Sequence, residues 1–427
     1  MDTLNSLSIF NQPSVQSAVE KSRYVKFRPL GSITEGSPID IYIPGNGSSF
    51  TDLSRSLLDV KFKVVKEDGG DMDPTHYVGI INNILHSLWQ NIEVYFNQVL
   101  VSNNNSDYPY KAYFDVLLNN TPAVQESRLQ ASGWFIDQSG SMDSTQMNPG
   151  SNLGLTIRHG LISTSSECQV VGNLLCDLTK LTKYLVNSVD IHLRLHPSKT
   201  DFILVKAETL TEKFKLKILD ISYNVCRVTP APAILAAQHE LMTKTPAKYP
   251  FVRTRTQLCA IPKGSYQLYE ENIFQFQCPA RLVIGFVNSS AFSGSLTLNP
   301  FNFKHLNTTS IALYVDGVSV PSEPMLLNFE SGSVMDGYHS LFSALNIDND
   351  NGKGLNINRS DYSKGFTLFA FSLMPGDDGY LMSKKVSNLR LEAQFKEATT
   401  EAVTAIIVGY FPDYFEIDVT RNIIKST

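Results

Sequence analysis

Cysteine is scarce in this 427-residue chain: Cys168, Cys176, Cys226, Cys259 and Cys278 are odd in number and form no CxxC pair. That spacing supports neither a disulfide framework nor a zinc site, so all five are expected as reduced thiols in strands or core. Charge is scarce too, at 18% of residues with a formal net charge of −5, which excludes wholesale attraction to nucleic acid or an anionic membrane. No apolar run reaches the roughly 18 residues of a membrane span, and no apolar stretch near the start reads as a signal peptide. Neither a membrane span nor export by that route is expected, and Asn-x-Ser/Thr sites such as Asn307 are expected to stay unmodified. The chain also lacks a GxSxG elbow, a GxxxxGKS/T loop and an HExxH helix, the local signatures of nucleophilic, phosphate-binding and zinc chemistry.

Hydrophobic residues make up 42% of the chain, enough for two cores of about 200 residues each. Ser, Asn and Thr supply much of the polar surface, which favours strands and loops over long exposed helices. One stretch organises the rest. Ile311 to Val320 (IALYVDGVSV) alternates Ile311, Leu313 and Val315, then turns at Asp316-Gly317. This is a β-hairpin signal, because both central positions of a type I′ turn need positive φ. Ile92 to Val101 (IEVYFNQVLV) has the same pattern around Asn97-Gln98, with Tyr95 matching Tyr314. The offset of 219 residues also relates His86 to His305.

Other stretches follow in the same order in both halves. IPGNG at Ile43 is answered by IPKGS at Ile261, LLDVKFKVV at Leu57 by RLVIGFV at Arg281, and GNLLCDL at Gly172 by GFTLFAFSL at Gly365. Tyr110, Phe114 and Leu117, spaced i, i+4 and i+7, predict a helix with Asp107 at its N-cap and Pro109 near its start; Tyr338, Phe342 and Leu345 repeat the triplet. Tyr184-Leu185 with Leu193-Arg194-Leu195 is matched by Tyr380-Leu381 with Leu389-Arg390-Leu391 at an offset of 196. Six ordered matches predict a duplicated domain.

Each half then holds about eight short strands with a helix set into one connection. The expected fold class is all-β: two tandem eight-stranded jelly rolls, a double jelly roll, with short inserted helices. An immunoglobulin-like sandwich gives a similar strand count in a smaller domain. The expected division is an N-terminal arm over 1–24, a first jelly roll over 25–229, a helical connector over 230–248 and a second jelly roll over 249–427. Long loops are expected over Lys66 to Tyr77, Ser139 to Leu153 and Ser343 to Gly365.

The search for chemistry nominates no catalytic, cofactor-binding or metal-ligating residue. His192 and His196 share a strand face but stand about 13 Å apart there, too far to hold one ion. NIDNDNGKGLNIN (Asn346 to Asn358) begins like a calcium loop, yet from Asp348 it puts Gly352 one place early and Arg359 where Glu is needed. Asp377 and Asp378 read as a turn. Lys21, Arg23, Lys26 and Arg28, interleaved with Tyr24 and Phe27, fit either a nucleic-acid track or a solvated strand face. His86 and His305, repeated in both halves, suit packing or turn roles. The alternative, a carbohydrate- or receptor-binding jelly roll, would need an exposed aromatic cluster with Asp or Asn partners on one face, and Trp89 and Trp134 are the only tryptophans.

The series SITEGSPIDIYIPGNG, LHSLWQNIEVYFNQVLVSNNNSDYPYKAYFDVLL, TPAKYP, ENIFQFQCPARLVIGFVNSSAFSGSLTLNPFNFKHLNTTSIALYVDGVSVPS and DYSKGFTLFAFSLMP resembles the major capsid proteins of Polinton (Maverick) elements and adintoviruses. The resemblance runs from about Val19 to Asn422; NPFNFKH before ALYVDG, and YPYKAY after the first hairpin, are its most specific pieces. It implies a double jelly-roll capsid protein related to adenovirus hexon, whose trimeric capsomers tile an icosahedral shell around double-stranded DNA. It implies no enzyme activity and no cofactor. The partners are then further copies of the chain, neighbouring capsomers and penton or minor capsid proteins, with DNA only indirectly; the location is the virion, after synthesis inside the cell.

Overall fold

The computed structural model describes residues 16–103, 107–147, 151–348, 354–373 and 386–425. The first half contributes β1 (Val19–Phe27), β2 (Ile39–Ile43), β3 (Phe50–Lys66), β4 (Val78–Ile80), β5 (Trp89–Phe96), β6 (Val99–Asn103), β7 (Cys168–Gly172), β8 (Ile191–Pro197), β9 (Leu204–Lys206) and β10 (Phe214–Pro230). The second contributes β11 (Ala247–Ile261), β12 (Gln267–Glu270), β13 (Arg281–Asn288), β14 (Thr308–Val315), β15 (Val318–Leu326), β16 (Leu368–Ser372), β17 (Leu389–Phe395), β18 (Val403–Ile417) and β19 (Ile423–Lys425).

The first half forms the sheets β1-β10-β3-β7 and β2-β8-β5-β6, and the second β11-β18-β13-β16 and β12-β17-β14-β15. Leaving aside the small β4-β9 sheet and β19, which pairs with β18, each half shows the same permutation of eight antiparallel strands. That permutation is the jelly roll, present twice. Alternation supplies the cores: Leu58, Val60, Phe62 and Val64 of β3 are all fully buried, as Leu282, Ile284 and Phe286 of β13 are, because every second side chain points to the same sheet face.

The two hairpins are equivalent down to their turns. Asn97 and Gln98 have φ of 44° and 68°, Asp316 and Gly317 of 52° and 85°. In each copy the first turn residue donates its N–H to the carbonyl of the residue just before the strand that flanks the hairpin in the sheet, β8 or β17, and its side-chain oxygen accepts that residue's N–H in return. The pairs are Asn97 with Asp190 (3.0 and 2.8 Å) and Asp316 with Asn388 (2.9 and 2.8 Å). Only Asn or Asp is short enough to close this ring while tolerating positive φ.

Not every sequence match marks an equivalent place. IPGNG follows β2, whereas IPKGS follows β11, the counterpart of β1. GNLLCDL begins where β7 ends and runs into a short 3-10 turn at Asp177–Lys180, so the counterpart of β16 is Cys168–Gly172. The LRL match names the right strand in the wrong register: Phe96 faces Ile191 and Val315 faces Leu389, so Leu389 corresponds to Ile191. A two-residue slip keeps the same face inward, which is why the pattern still matched. Tyr380 and Leu381 lie outside the described residues.

Antiparallel order also separates two ends of the molecule. The connections β3 to β5, β6 to β7, β13 to β14 and β15 to β16, which hold the three expected long loops, all emerge at one end. There Ser139 donates to Asp361 (2.7 Å) and Gly140 N–H to the Lys364 carbonyl (2.9 Å), joining loops of both halves. At the other end lie both hairpin turns, the start of β1, the helix Pro232–Lys244 between the rolls, and β19. Strand pairing begins at Val19, opposite Pro230, inside the stretch expected as an arm; residues 1–15 lie outside the described residues.

Candidate assembly interface

The helix Tyr108–Asn119, between β6 and β7, starts with Pro109 in its first turn and buries every residue from Tyr108 to Leu118. One roll cannot cover a helix on all sides, and the second roll supplies the remaining cover. Tyr113 stacks on Phe301 (centroids 4.2 Å apart, planes at 12°), Tyr110 stacks on Phe292 (5.4 Å), and Phe114 meets Phe303 (5.2 Å). Phe292, Phe301 and Phe303 all belong to the segment linking β13 to β14. Such pairs add about 0.5–1.5 kcal/mol each beyond the area they bury.

The polar face of the same helix is buried as well. Lys111 Nζ lies 2.9 Å from Asp177 and 3.8 Å from Asp115, donates to the Leu175 carbonyl, and is 2% exposed; Lys180 closes on Asp115 at 2.8 Å. Asp177 reaches across to accept the Thr254 N–H of β11 (3.0 Å). Burial alone would lower the Lys111 pKa, but Asp177 and Asp115 outweigh it and hold it above the ordinary lysine value. Asp115 is likewise held below the carboxylate range, the two lysines overcoming its burial. Removing one member of such a group leaves an uncompensated buried charge.

A second polar knot joins the halves nearer the loops. Asp137 binds Arg158 (2.6 Å), Asn152 (2.8 Å) and, from the second roll, Asn299 (3.0 Å). At the opposite end, Asn97 donates to the Arg421 carbonyl (2.7 Å), and the Arg421 guanidinium donates to the Asn187 carbonyl and side chain (2.8 and 2.7 Å). Asp107, at the N-cap position, makes no capping bond with its side chain. It lines a cavity of about 310 Å³ between the rolls with Lys199, Leu258 and Phe292, and burial pushes its pKa up to about 7.

The counterpart helix in the second roll, Met335–Ala344, has a different setting. Only Gly337, Ser340, Leu341 and Ala344 are buried along it. Beside it runs an open groove of about 800 Å³ lined by Pro321, Pro324, Met335, His339, Phe342 and Phe371. Val318 and Leu326 on the edge strand β15 are 68% and 67% exposed.

The residues weighed for chemistry go to separate places. His192 pairs with Asp40 (2.8 Å) and His196 with Glu93 (3.3 Å). His86 is buried against the Tyr108 hydroxyl (Nδ1 to O 2.8 Å), and desolvation lowers its pKa to about 3. His305 accepts the Asn307 N–H at Nδ1 (3.0 Å) and stacks on Phe329, so one histidine packs and the other shapes a turn. Asp348 accepts from Ser343 (2.8 Å); residues 349–353 of the calcium-like loop, and Asp377 and Asp378, lie outside the described residues. Among the described residues no three His, Cys, Asp or Glu side chains gather as metal ligands. Lys26 and Arg28 face Asp59 (3.9 Å) and Asp220 (3.3 Å) beside the edge strand β1, where charge also discourages unwanted strand pairing. Trp89 and Trp134 are buried, and all five cysteines are buried thiols outside any disulfide. The Lys111 cluster and the aromatic seam escaped sequence reading, since Lys111 and Asp115 at i, i+4 look like an ordinary solvated helix pair.

No family model matches the chain. An uncharacterized protein of Caenorhabditis elegans is 25% identical over 423 residues, covering 96% of this chain and 98% of that protein. Among solved structures, a chain of the Sputnik virophage aligns with TM-score 0.63 at 13% identity, covering 99% of this chain and 91% of its own. The Faustovirus major capsid protein aligns with TM-score 0.61 at 9% identity (98% and 92% covered), and the mavirus major capsid protein with 0.58 at 10% (98% and 93%). The double jelly-roll fold is therefore shared with viral major capsid proteins along nearly the whole chain.

Proposed function

We propose that this chain is a structural, non-enzymatic major capsid protein of the Polinton/Maverick and adintovirus kind. It homotrimerises into pseudo-hexameric capsomers that tile an icosahedral shell enclosing double-stranded DNA, with penton or minor capsid proteins as partners. The observation that carries this reading is the pair of jelly rolls with one strand permutation, locked side by side through the helix Tyr108–Asn119. Three such chains place six rolls in a ring, so threefold symmetry yields a near-hexagonal block from one repeated interface. The full-length likeness to virophage and mavirus chains supports it at the level of fold, and the sequence motifs add the Polinton assignment. We assign the arm to the residues before Val19, the rolls to 19–230 and 247–427, and the connector to the helix Pro232–Lys244 between them. β1 starts at the end opposite the long loops, which suits an arm on the inner face of a shell with the loops outward.

Size-exclusion chromatography with light scattering, followed by negative-stain imaging, tests the proposal. A species of about three times 47.5 kDa with a pseudo-hexagonal outline is expected. A stable monomer at all concentrations overturns it.

A further inference from the structure

The internal repeat indicates which faces meet between chains. In the first roll the helix after β6 is covered by the segment linking β13 to β14 of the second roll. Among the described residues the equivalent helix of the second roll, Met335–Ala344, has no such cover, and the apolar groove beside it and β15 stays open. The segment of the first roll that corresponds to the covering one links β3 to β5. It includes Tyr77, 49% exposed, and β4. On β4 lies the helix Leu153–Ile162, held by Arg158 to the Ile80 carbonyl (2.8 Å) and by His159 to the Val78 carbonyl (2.7 Å). The inner face of that helix buries Leu155 and Ile162, whereas Leu153, Ile157 and Leu161, at i, i+4 and i+8, form an outward stripe 52%, 41% and 37% exposed. An apolar stripe facing water marks a surface meant to be covered.

We infer that the stripe Leu153–Ile157–Leu161 with Tyr77 docks into the groove beside Met335–Ala344 of a second copy of this chain. The contact repeats between chains what Phe292, Phe301 and Phe303 do within one. It is heterologous, the two faces being different, so a ring closes when each copy offers its stripe to the next. This rests on the trimeric reading above and names its interface.

Two double variants at exposed positions test it: Ile157→Glu with Leu161→Glu on the stripe, and Pro324→Glu with Met335→Glu at the groove. Each is expected to keep the wild-type circular dichroism spectrum and to lose the trimer, needing at least tenfold more protein to associate. Mixed one to one, each variant still carries the intact face the other lacks, so a heterodimer forms in light scattering. Variants that remain trimeric beside a trimeric wild type overturn the interface and leave the capsid reading standing, as does a mixture that stays monomeric. A monomeric wild type overturns both.

Discussion

The two helices that follow the hairpins start from one pattern and end in opposite surroundings. Tyr110, Phe114 and Leu117 recur as Tyr338, Phe342 and Leu345, and each helix bridges the same pair of strands in its roll. Yet the first is buried on every side, and the second buries one face only. By that triplet, Lys111 corresponds to His339. Lys111 is 2% exposed between two aspartates, whereas the His339 side chain is 69% exposed with Asp348 at 3.7 Å. A repeated fold thus sets where an element sits, and its neighbours decide what its polar residues become. The covered helix has traded solvation for buried ion pairs, one of whose carboxylates, Asp177, also accepts a hydrogen bond from the second roll, and the open one keeps an exposed face.

The largest expected break in this comparison comes from substituting the matched pair. Lys111→Ala strands Asp115 and Asp177 in the interior and should cost about 3–5 kcal/mol, whereas His339→Ala should change stability by less than about 0.5 kcal/mol. Chemical denaturation of both variants measures the gap. Equal effects would mean that the first helix is not sealed by the second roll.

A smaller, pH-dependent contrast belongs to Asp107 at the start of the covered helix. Its folded pKa of about 7 lies above the ordinary carboxylate value, so between about pH 4 and 7 the native chain holds a proton that the unfolded chain releases. Stability contributed by that proton is complete below pH 4 and lost as pH rises through 7. Asp107→Asn should therefore be more stable than wild type at pH 8 by a few kcal/mol, each pKa unit being worth about 1.4 kcal/mol, and nearly equal to it at pH 4. Thermal melts at the two pH values check the sign, and a variant gaining nothing at pH 8 would place Asp107 in contact with water.

Much of the fold was legible because its signals are local. The hairpins announce themselves through alternation and a turn dipeptide, and the helix through Pro109 and three spaced apolar residues. Register was less legible, since a strand pattern of period two cannot distinguish the LRL of β8 from its shift by two residues. GNLLCDL misled for a related reason: an apolar run beside Gly reads as a strand whether the chain pairs there or turns at Asp177. The seam between the rolls was not legible at all. Phe292, Phe301 and Phe303 carry no period, and nothing in the spacing of Lys111 and Asp115 tells that a second roll will cover them.

Hydrogen–deuterium exchange on the two helices tests the central claim most directly, comparing assembled wild type with the Ile157→Glu/Leu161→Glu variant, which leaves both helices unaltered. Amides of Tyr108–Asn119 should exchange equally slowly in both proteins, since their cover lies within the chain, and amides of Met335–Ala344 should be protected at least tenfold more in the assembled wild type. A trimeric wild type in which Met335–Ala344 exchanges as fast as in the variant would contradict the account.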